Sequence, residues 1–474
     1  MKQVFKDWKI YLTALITLII AQAIWLSSWH FFKHSTEKTY KHPQQATLHV
    51  FIHGTFGSSL GLLSFFPVIH DNFKGSHYVK TARLMRKDPY FYKDQPMLER
   101  GMIQLDPSYA LLEETDLKKI ASPLIKGYAD IKNLINESKE LSFFYTFGWS
   151  GLLSRQRRRQ EALRLYNALA EETAALQEKG LKTKIIISAH SHGGNIALNL
   201  AGINEARNLL KLDLQSTSSI HNELEQMCSY LSTCTTEQYQ TKKGQKAFDY
   251  FPHQPAVYIN RLYLLATPIQ PETDHYATDT NTFKRVYNFY SENDPVQKMD
   301  WISTSRYYSD QRFSKNPLSS PSIVQVKIRY DRTAENDSPS LINRFFPSLN
   351  EPVYRLDPSH RDFWFIAHQN NSINKSIIHP LPLFIFSPLL HKLIKKQESN
   401  DLIINISKMH SNLRFTLLKH DDESYVQSEI IPLSFVEKIQ HYLTDWQPDK
   451  KCKKQEFEII TKHVKQASSY KKGI

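Results

Sequence analysis

Ser191 stands at the junction between a buried strand and a helix. The run 184–188 (KIIIS) is typical of a strand buried on both faces, and a helical pattern resumes over 195–201. A tight turn between them would hold the serine in a strained conformation, with its hydroxyl above the edge of the sheet. Ala189 and Gly193, two residues before and two after, are small enough for such a turn. The following helix would direct its N-terminal N–H groups at this hydroxyl, which suits chemistry that develops negative charge.

Other polar groups follow other predicted strands. The residues 53–57 (HGTFG) come directly after the apolar run 47–52. Asp294 precedes a proline in the loop that follows the predicted strand 285–290. His360 lies in a polar turn before an aromatic segment (LDPSHRDFW). The plain alternative for the aspartate is an Asx-turn residue before proline, and a lone histidine is often a surface residue.

The residues Ala-His-Ser-His-Gly at 189–193 resemble the nucleophile elbow of the α/β-hydrolase family. Their sequence is similar to the corresponding motif of bacterial lipases and esterases. The upstream His-Gly-Thr-Phe-Gly is similar to the HG-x-x-G oxyanion loop of that family. Ala189 replaces the usual first glycine, a departure that the same steric reasoning tolerates. The resemblance covers about residues 46–370 and reaches neither the N-terminal segment nor the C-terminal hundred residues.

The resemblance implies a role for each of these groups. Ser191 would be the nucleophile, and the backbone N–H groups of Thr55 and His192 would form the oxyanion hole. The family order of Ser, then Asp or Glu, then His implies Asp294 as the acid and His360 as the base. Such a triad needs a neutral imidazole within hydrogen-bond reach of the serine, held in one tautomer by the carboxylate.

Alternatives remain open for two of these roles. Asp300 and Glu292 are the alternatives for the acid, and His368 and His379 are the alternatives for the base. His53 is expected to brace its own loop by hydrogen bonding. The two histidines that flank the serine should point away from it, which makes them poor base candidates.

Apolar runs separated by helical stretches indicate βαβ units and a mostly parallel sheet with helices on both faces. The resemblance implies the α/β-hydrolase fold for this part of the chain. The predicted elements are strands at 47–52, 141–149, 184–188, 257–265, 285–290 and 324–330 and a helix at 155–177.

The chain divides into three parts. Residues 1–45 are interpreted as a membrane anchor and linker, and residues 46–370 as an α/β-hydrolase catalytic domain with insertions at about 61–138 and 211–251. Residues 371–474 form a C-terminal extension of uncertain fold.

Residues 10–29 contain no Lys, Arg, Asp or Glu, and about 20 apolar residues suffice for one membrane crossing. We expect a transmembrane helix that stays uncleaved, because apolar character continues past Ala23. A cleaved signal peptide with its site at Ala21-Gln22-Ala23, and hence a secreted protein, is the alternative. Lysines on both sides leave the orientation open, although the basic N-terminus favours translocation of the catalytic part.

The chain carries 60 Lys and Arg against 47 Asp and Glu, a net charge of +13 that favours anionic partners. Residues 450–474 contain eight Lys and two Glu, which form either a solvated tail or a segment drawn to an acidic lipid surface. The apolar segment 377–394 contains prolines that exclude a membrane helix, so it either faces lipid, forms a lid or packs onto the core. The expected partners are a membrane and an ester or lipid substrate, and not nucleic acid.

Three cysteines exclude a disulfide scaffold, although Cys228 and Cys234 lie close enough in sequence to pair. No CxxC or HExxH motif occurs, so the sequence predicts neither a metal site nor a cofactor.

With the anchor, the resemblance implies a membrane-anchored serine hydrolase of carboxylic esters, with lipid esters as the expected substrates. The same triad would also serve an acyltransferase or a thioesterase. A catalytically silent hydrolase fold that acts as a membrane scaffold is the alternative from another class.

Overall fold

A computed structural model describes residues 22, 44–54, 101–107, 121–135, 140–149, 155–211, 256–294, 296–297, 309–314, 322–331, 357–360, 362–364, 377–378 and 381–444. The segment 10–29, predicted to cross a membrane, lies outside these ranges apart from Gln22. Among the described residues, no helix combines the length and the apolar character that a membrane crossing needs.

The strands of the described residues form one mixed sheet. In chain order they are β1 (Gln45–Ile52), β2 (Met102–Leu105), β3 (Leu141–Phe147), β4 (Lys182–His190), β5 (Arg261–Leu265), β6 (Val286–Tyr290), β7 (Ile323–Asp331), β8 (Asp401–Met409), β9 (Asn412–Lys419) and β10 (Tyr425–Pro432). Across the sheet their order is β10-β9-β8-β7-β6-β5-β4-β1-β3-β2. The seven neighbouring strands β3, β1, β4, β5, β6, β7 and β8 run parallel to one another. At one edge β2 pairs antiparallel with β3, and at the other β8, β9 and β10 form an antiparallel meander.

Helices cover both faces of this sheet. They are α1 (Ala121–Leu134), α2 (Arg155–Glu178), α3 (His192–Lys211), α4 (Ser387–Ile394) and α5 (Leu433–Thr444), with short 3₁₀ helices at Asp274–Thr278 and Leu383–Phe386. The helices α2 and α3 pack on one face, and α1, α4 and α5 pack on the other. The predicted α/β class, with a mostly parallel sheet between two helical layers, is confirmed.

The alternation of side chains along β4 explains why the sequence pattern identified this strand. Ile185 and Ile187 belong to the core cluster under α2 and α3, whereas Ile186 belongs to the cluster on the opposite face. Successive side chains of a strand point to opposite faces, so a strand covered on both sides is apolar at every position. The result is the continuous isoleucine run rather than an alternating one.

Part of the stretch 61–138, interpreted as an insertion, contributes to the sheet and its covering layer. The antiparallel edge strand β2 and the helix α1 both come from this stretch. Leu124 and Tyr128 of α1 are buried in the core cluster on the face opposite α2. Residues 212–255, which contain nearly all of the second predicted insertion, lie outside the described residues.

The C-terminal part, whose fold the sequence left uncertain, extends the same sheet. β8 pairs in parallel with β7, with Ile404 opposite Ile328. The apolar segment that precedes it packs onto the core, because all residues of 383–386 and nearly all of α4 are buried. The helix α5 then returns to α1, where the Tyr442 hydroxyl donates a hydrogen bond to Asp130 Oδ2 at 2.8 Å. The core therefore runs without interruption from the central strands into the C-terminal part.

We expect Ile404→Ala to lower the free energy of unfolding by about 2–5 kcal/mol, because the side chain is fully buried between two neighbouring strands. The control Ile430→Ala, on a side chain that is 49% exposed on β10, should change it by less than about 0.5 kcal/mol. Urea denaturation followed by circular dichroism measures both. A destabilised transition confined to a fraction of the signal would show that the C-terminal part unfolds by itself.

Candidate active site

The strand order reverses between β1 and β4. From β1 the chain first builds β2 and β3 on one side, then crosses back to β4 and continues towards β8 in the other direction. Beyond the carboxyl ends of parallel strands, such a reversal leaves a crevice, because the two connections leave on opposite faces of the sheet. Gly54 follows β1 and Ser191 follows β4, so both lie at this crevice.

Ser191 has a left-handed backbone conformation, with φ of +51°. This conformation costs a residue other than glycine on the order of 1 kcal/mol, and hydrogen bonds on both sides hold it. The Ser191 N–H donates to the Leu265 carbonyl at 3.0 Å, and the Gly194 N–H donates to the Ser191 carbonyl at 2.9 Å. Helix α3 begins at the next residue, so the N–H groups of its first turn lie beside the serine.

Two glycines allow the loop after β1 to lie directly against this turn. A Cβ on Gly193 would lie 2.5 Å from the His53 carbonyl oxygen, which is backbone and cannot rotate away. A Cβ on Gly54 would lie 2.6 Å from Ser191 Cβ. The sequence requirement for a small residue after the serine therefore reflects contact between two backbone segments.

His53 braces the loop after β1, as the sequence predicted. Its Nδ1–H donates to the Gly54 carbonyl at 2.7 Å, and its Nε2 accepts the Trp149 N–H at 3.3 Å. The Trp149 indole N–H donates to the His53 carbonyl at 2.7 Å, and the two rings stack with their centroids 5.7 Å apart. Both ring nitrogens are thus engaged, which leaves this histidine no role as a base.

Asp294 and His360 form a hydrogen-bonded pair at the same edge of the sheet. His360 Nδ1 lies 2.8 Å from Asp294 Oδ2, and the aspartate is fully buried. Its other oxygen, Oδ1, accepts the Val296 N–H at 3.0 Å. A carboxylate can only accept, so Nδ1 carries a proton, and in the neutral imidazole Nε2 is then the nitrogen with the lone pair. This tautomer is the one that a general base requires.

His190, the residue before the serine, contacts His360. Their ring centroids are 4.7 Å apart, and His190 Nε2 lies 3.0 Å from the His360 carbonyl oxygen. Complete burial holds the pKa of His190 well below its usual range, and the charge that His360 can carry lowers it further. The sequence predicts that this side chain points away from the serine, as a poor candidate for the base. It is not placed as a base, but it touches the proposed one.

Of the remaining residues proposed from the sequence, the structure describes Glu292 and His192 but not the others. Glu292 is 58% exposed and pairs with Lys327 Nζ at 2.5 Å, a hydrogen bond that lowers the pKa of this carboxyl. It therefore faces Lys327 and not the imidazole of His360. His192 is buried at the first position of α3, where its backbone N–H belongs to the helix N-terminus. Outside the described residues lie Thr55, Asp300, His368 and His379.

Gln311 supports the loop that carries Asp294, although it is not among the site residues predicted from the sequence. Its Nε2 donates to the Ser291 carbonyl at 2.6 Å and to the Asp294 carbonyl at 2.9 Å. Asn288 Nδ2 in turn donates to the Gln311 carbonyl at 2.9 Å. Buried amides in the strands β6 and β7, Asn288 and Gln325, were the available signal that a polar segment packs there.

Comparisons with protein-family models, with curated proteins and with solved structures gave no significant match. Within the part of the chain that the structure describes, no group of three or more His, Cys, Asp or Glu side chains could hold a metal ion.

We expect Gln311→Leu to lower the free energy of unfolding by about 1–3 kcal/mol, because it removes the amide that donates to the carbonyl groups of Ser291 and Asp294. The control Gln177→Leu, at an exposed position of α2, should stay within about 0.5 kcal/mol of the wild type. Urea denaturation measures the two variants. Equal changes in the free energy of unfolding for the two variants would mean that Gln311 does not support the loop that carries Asp294.

Proposed function

We propose that this chain is a serine hydrolase with the α/β-hydrolase fold that cleaves carboxylic esters. One observation carries the proposal. The imidazole of His360, which is hydrogen-bonded to the buried carboxylate of Asp294, contacts the ring of His190. The next residue, Ser191, occupies a left-handed turn between a strand and a helix. The chain order Ser191, Asp294, His360 is that of the α/β-hydrolase family, which supports the same conclusion.

In the first half of the proposed reaction, Ser191 Oγ attacks the ester carbonyl carbon while His360 Nε2 accepts the hydroxyl proton. The negative charge that develops on the carbonyl oxygen is stabilised by backbone N–H groups, that of His192 at the start of α3 and that of Thr55. Each such donor contributes about 2.7–4 kcal/mol to transition-state stabilisation. When the bond between carbon and the alcohol oxygen breaks, the imidazolium returns its proton to the departing alcohol.

In the second half, water attacks the acyl-enzyme ester on Ser191. His360 accepts a proton from this water, and the carboxylic acid leaves as the serine oxygen is protonated again. Asp294 stays ionised throughout and stabilises the imidazolium. An alcohol in place of water would give acyl transfer, and a thioester in place of the ester would give thioesterase activity.

We propose lipid esters at a membrane surface as the substrate class. The support comes from the two ends of the chain: an uncharged apolar segment at residues 10–29 and a lysine-rich segment at residues 450–474. A catalytic part anchored by such segments would meet substrates that are already concentrated in the bilayer. The catalytic part is proposed to be translocated, and a secreted form would result if the apolar segment is cleaved.

We expect a fluorophosphonate probe to label the full-length protein covalently at Ser191, because the activated hydroxyl attacks phosphorus as it would attack an ester carbonyl. Ser191→Ala should abolish labelling, whereas Ser428→Ala, a control on the edge strand β10, should retain it. Gel fluorescence followed by peptide mass spectrometry reads out the modified residue. A folded wild-type protein without Ser191-dependent label would favour the membrane scaffold.

Asp294→Asn and His360→Ala should each lower kcat for a short-chain ester such as 4-nitrophenyl butyrate by about 10³-fold or more. The physical reason is loss of the correct tautomer in the first variant and of the proton acceptor in the second. Asp422→Asn and His441→Ala change exposed residues of the same types and should leave the rate unchanged. Near-normal rates in either site variant would assign its role to another residue.

A further inference from the structure

His190 connects the turn that carries the serine to the segment that carries the proposed base. Its ring stacks on Trp364, with centroids 5.7 Å apart and planes 12° apart, and lies beside the ring of His360. Because a carbonyl oxygen can only accept, the 3.0 Å contact to the His360 carbonyl means that His190 Nε2 carries the proton and donates it. Strand β4 ends at His190, so this donor is attached to the rigid centre of the sheet.

The segment that carries His360 belongs to neither a helix nor a strand. Upstream of His360, Asn293 Nδ2 donates to the Asp357 carbonyl at 3.3 Å, a long contact. Downstream, the Leu383 N–H donates to the Asp362 carbonyl at 2.8 Å and the Phe384 N–H to the Phe363 carbonyl at 3.1 Å. Between these points, His190 holds the backbone of the residue that carries the imidazole.

We propose that His190 is a positioning residue that fixes His360, through its backbone carbonyl, at the distance from Ser191 that proton transfer requires. The inference rests on the proposed function, and it adds a residue that touches neither substrate nor proton in transit. Burial holds the pKa of His190 well below its usual range, so this side chain donates a hydrogen bond without adding a positive charge beside His360. A displacement of the base by about 1 Å can cost on the order of a hundredfold in rate, so one bond at this carbonyl has a large effect.

Two substitutions separate the hydrogen bond from the packing of the ring. His190→Phe keeps an aromatic ring against Trp364 and removes the donor. His190→Gln removes the ring and keeps an N–H group at about the place of Nε2. His441→Phe, on an exposed histidine of α5, is the control for the substitution itself.

The experiment uses the full-length protein and two measurements. The first is the second-order rate constant for fluorophosphonate labelling at Ser191, and the second is hydrogen–deuterium exchange of a peptide that covers residues 357–364. We expect His190→Phe to slow labelling by about tenfold or more and to speed exchange of this peptide. His190→Gln should stay within about threefold of the wild-type labelling rate, and His441→Phe should match the wild type in both measurements.

Wild-type labelling and wild-type exchange in His190→Phe would overturn the positioning role while leaving the proposed hydrolase intact. A wild-type protein that takes no label would overturn the hydrolase. Exchange would then still decide whether His190 holds the segment, because faster exchange in His190→Phe supports the contact and unchanged exchange refutes it. If His190→Phe does not fold, His190→Gln decides: near wild-type labelling supports the donor role, and a tenfold loss overturns it.

Discussion

At the carboxyl ends of β1 and β4, two backbone segments lie so close together that no side chain fits between them. Glycine is required on both sides of this contact, because a Cβ on Gly193 would clash with the His53 carbonyl oxygen and a Cβ on Gly54 would clash with Ser191 Cβ. The strained conformation of Ser191 is held by the hydrogen bonds that its N–H and carbonyl make to Leu265 and Gly194. Helix α3 must therefore start beside the loop after β1, which places the backbone N–H of His192, a proposed donor of the oxyanion hole, next to Ser191.

Asp294, the proposed acid, is more completely buried than His360, the proposed base. Asp294 is fully buried, and its carboxylate oxygens accept hydrogen bonds from the Val296 N–H and from His360. Gln311 binds the carbonyl groups of the same loop. His360, in contrast, is 14% exposed at its side chain and lies on an irregular segment. Asp294 binds its imidazole, and His190 contacts its backbone carbonyl, so the position of His360 depends on both residues.

The C-terminal part contributes to the site as well as to the core. The 3₁₀ helix at Leu383–Phe386 is buried against the sheet and binds the backbone of the segment that follows His360. Phe384 also packs against Trp364, with ring centroids 4.6 Å apart, and Trp364 stacks on His190. An apolar segment with several prolines, open to interpretation as a lid, thus forms part of the support beneath the proposed base. Its prolines suit a short, irregular, buried segment as well as they suit a lid.

The sequence alone indicated the elements whose signals are local. The isoleucines of β4 and the small residues around Ser191 report burial and backbone geometry over a few positions, so strand, turn and helix could be predicted there. The same holds for the loop at His53 and for the strand before Asp294. The alternatives for the acid and the base stayed open, because the 2.8 Å contact between Asp294 and His360 joins residues 66 positions apart.

Only the tertiary structure decided how these elements meet. The strands β9 and β10 carry weaker patterns, because the outer strands of a meander at the end of a sheet are less completely buried than its centre. The contact of His190 with the His360 carbonyl could not be predicted either, because the two residues are 170 positions apart. Local periodicity reflects which faces are buried, and it determined the central strands and the serine turn. The partners of each polar group depend on chain crossings that bring distant segments together, and these exist only in the folded molecule.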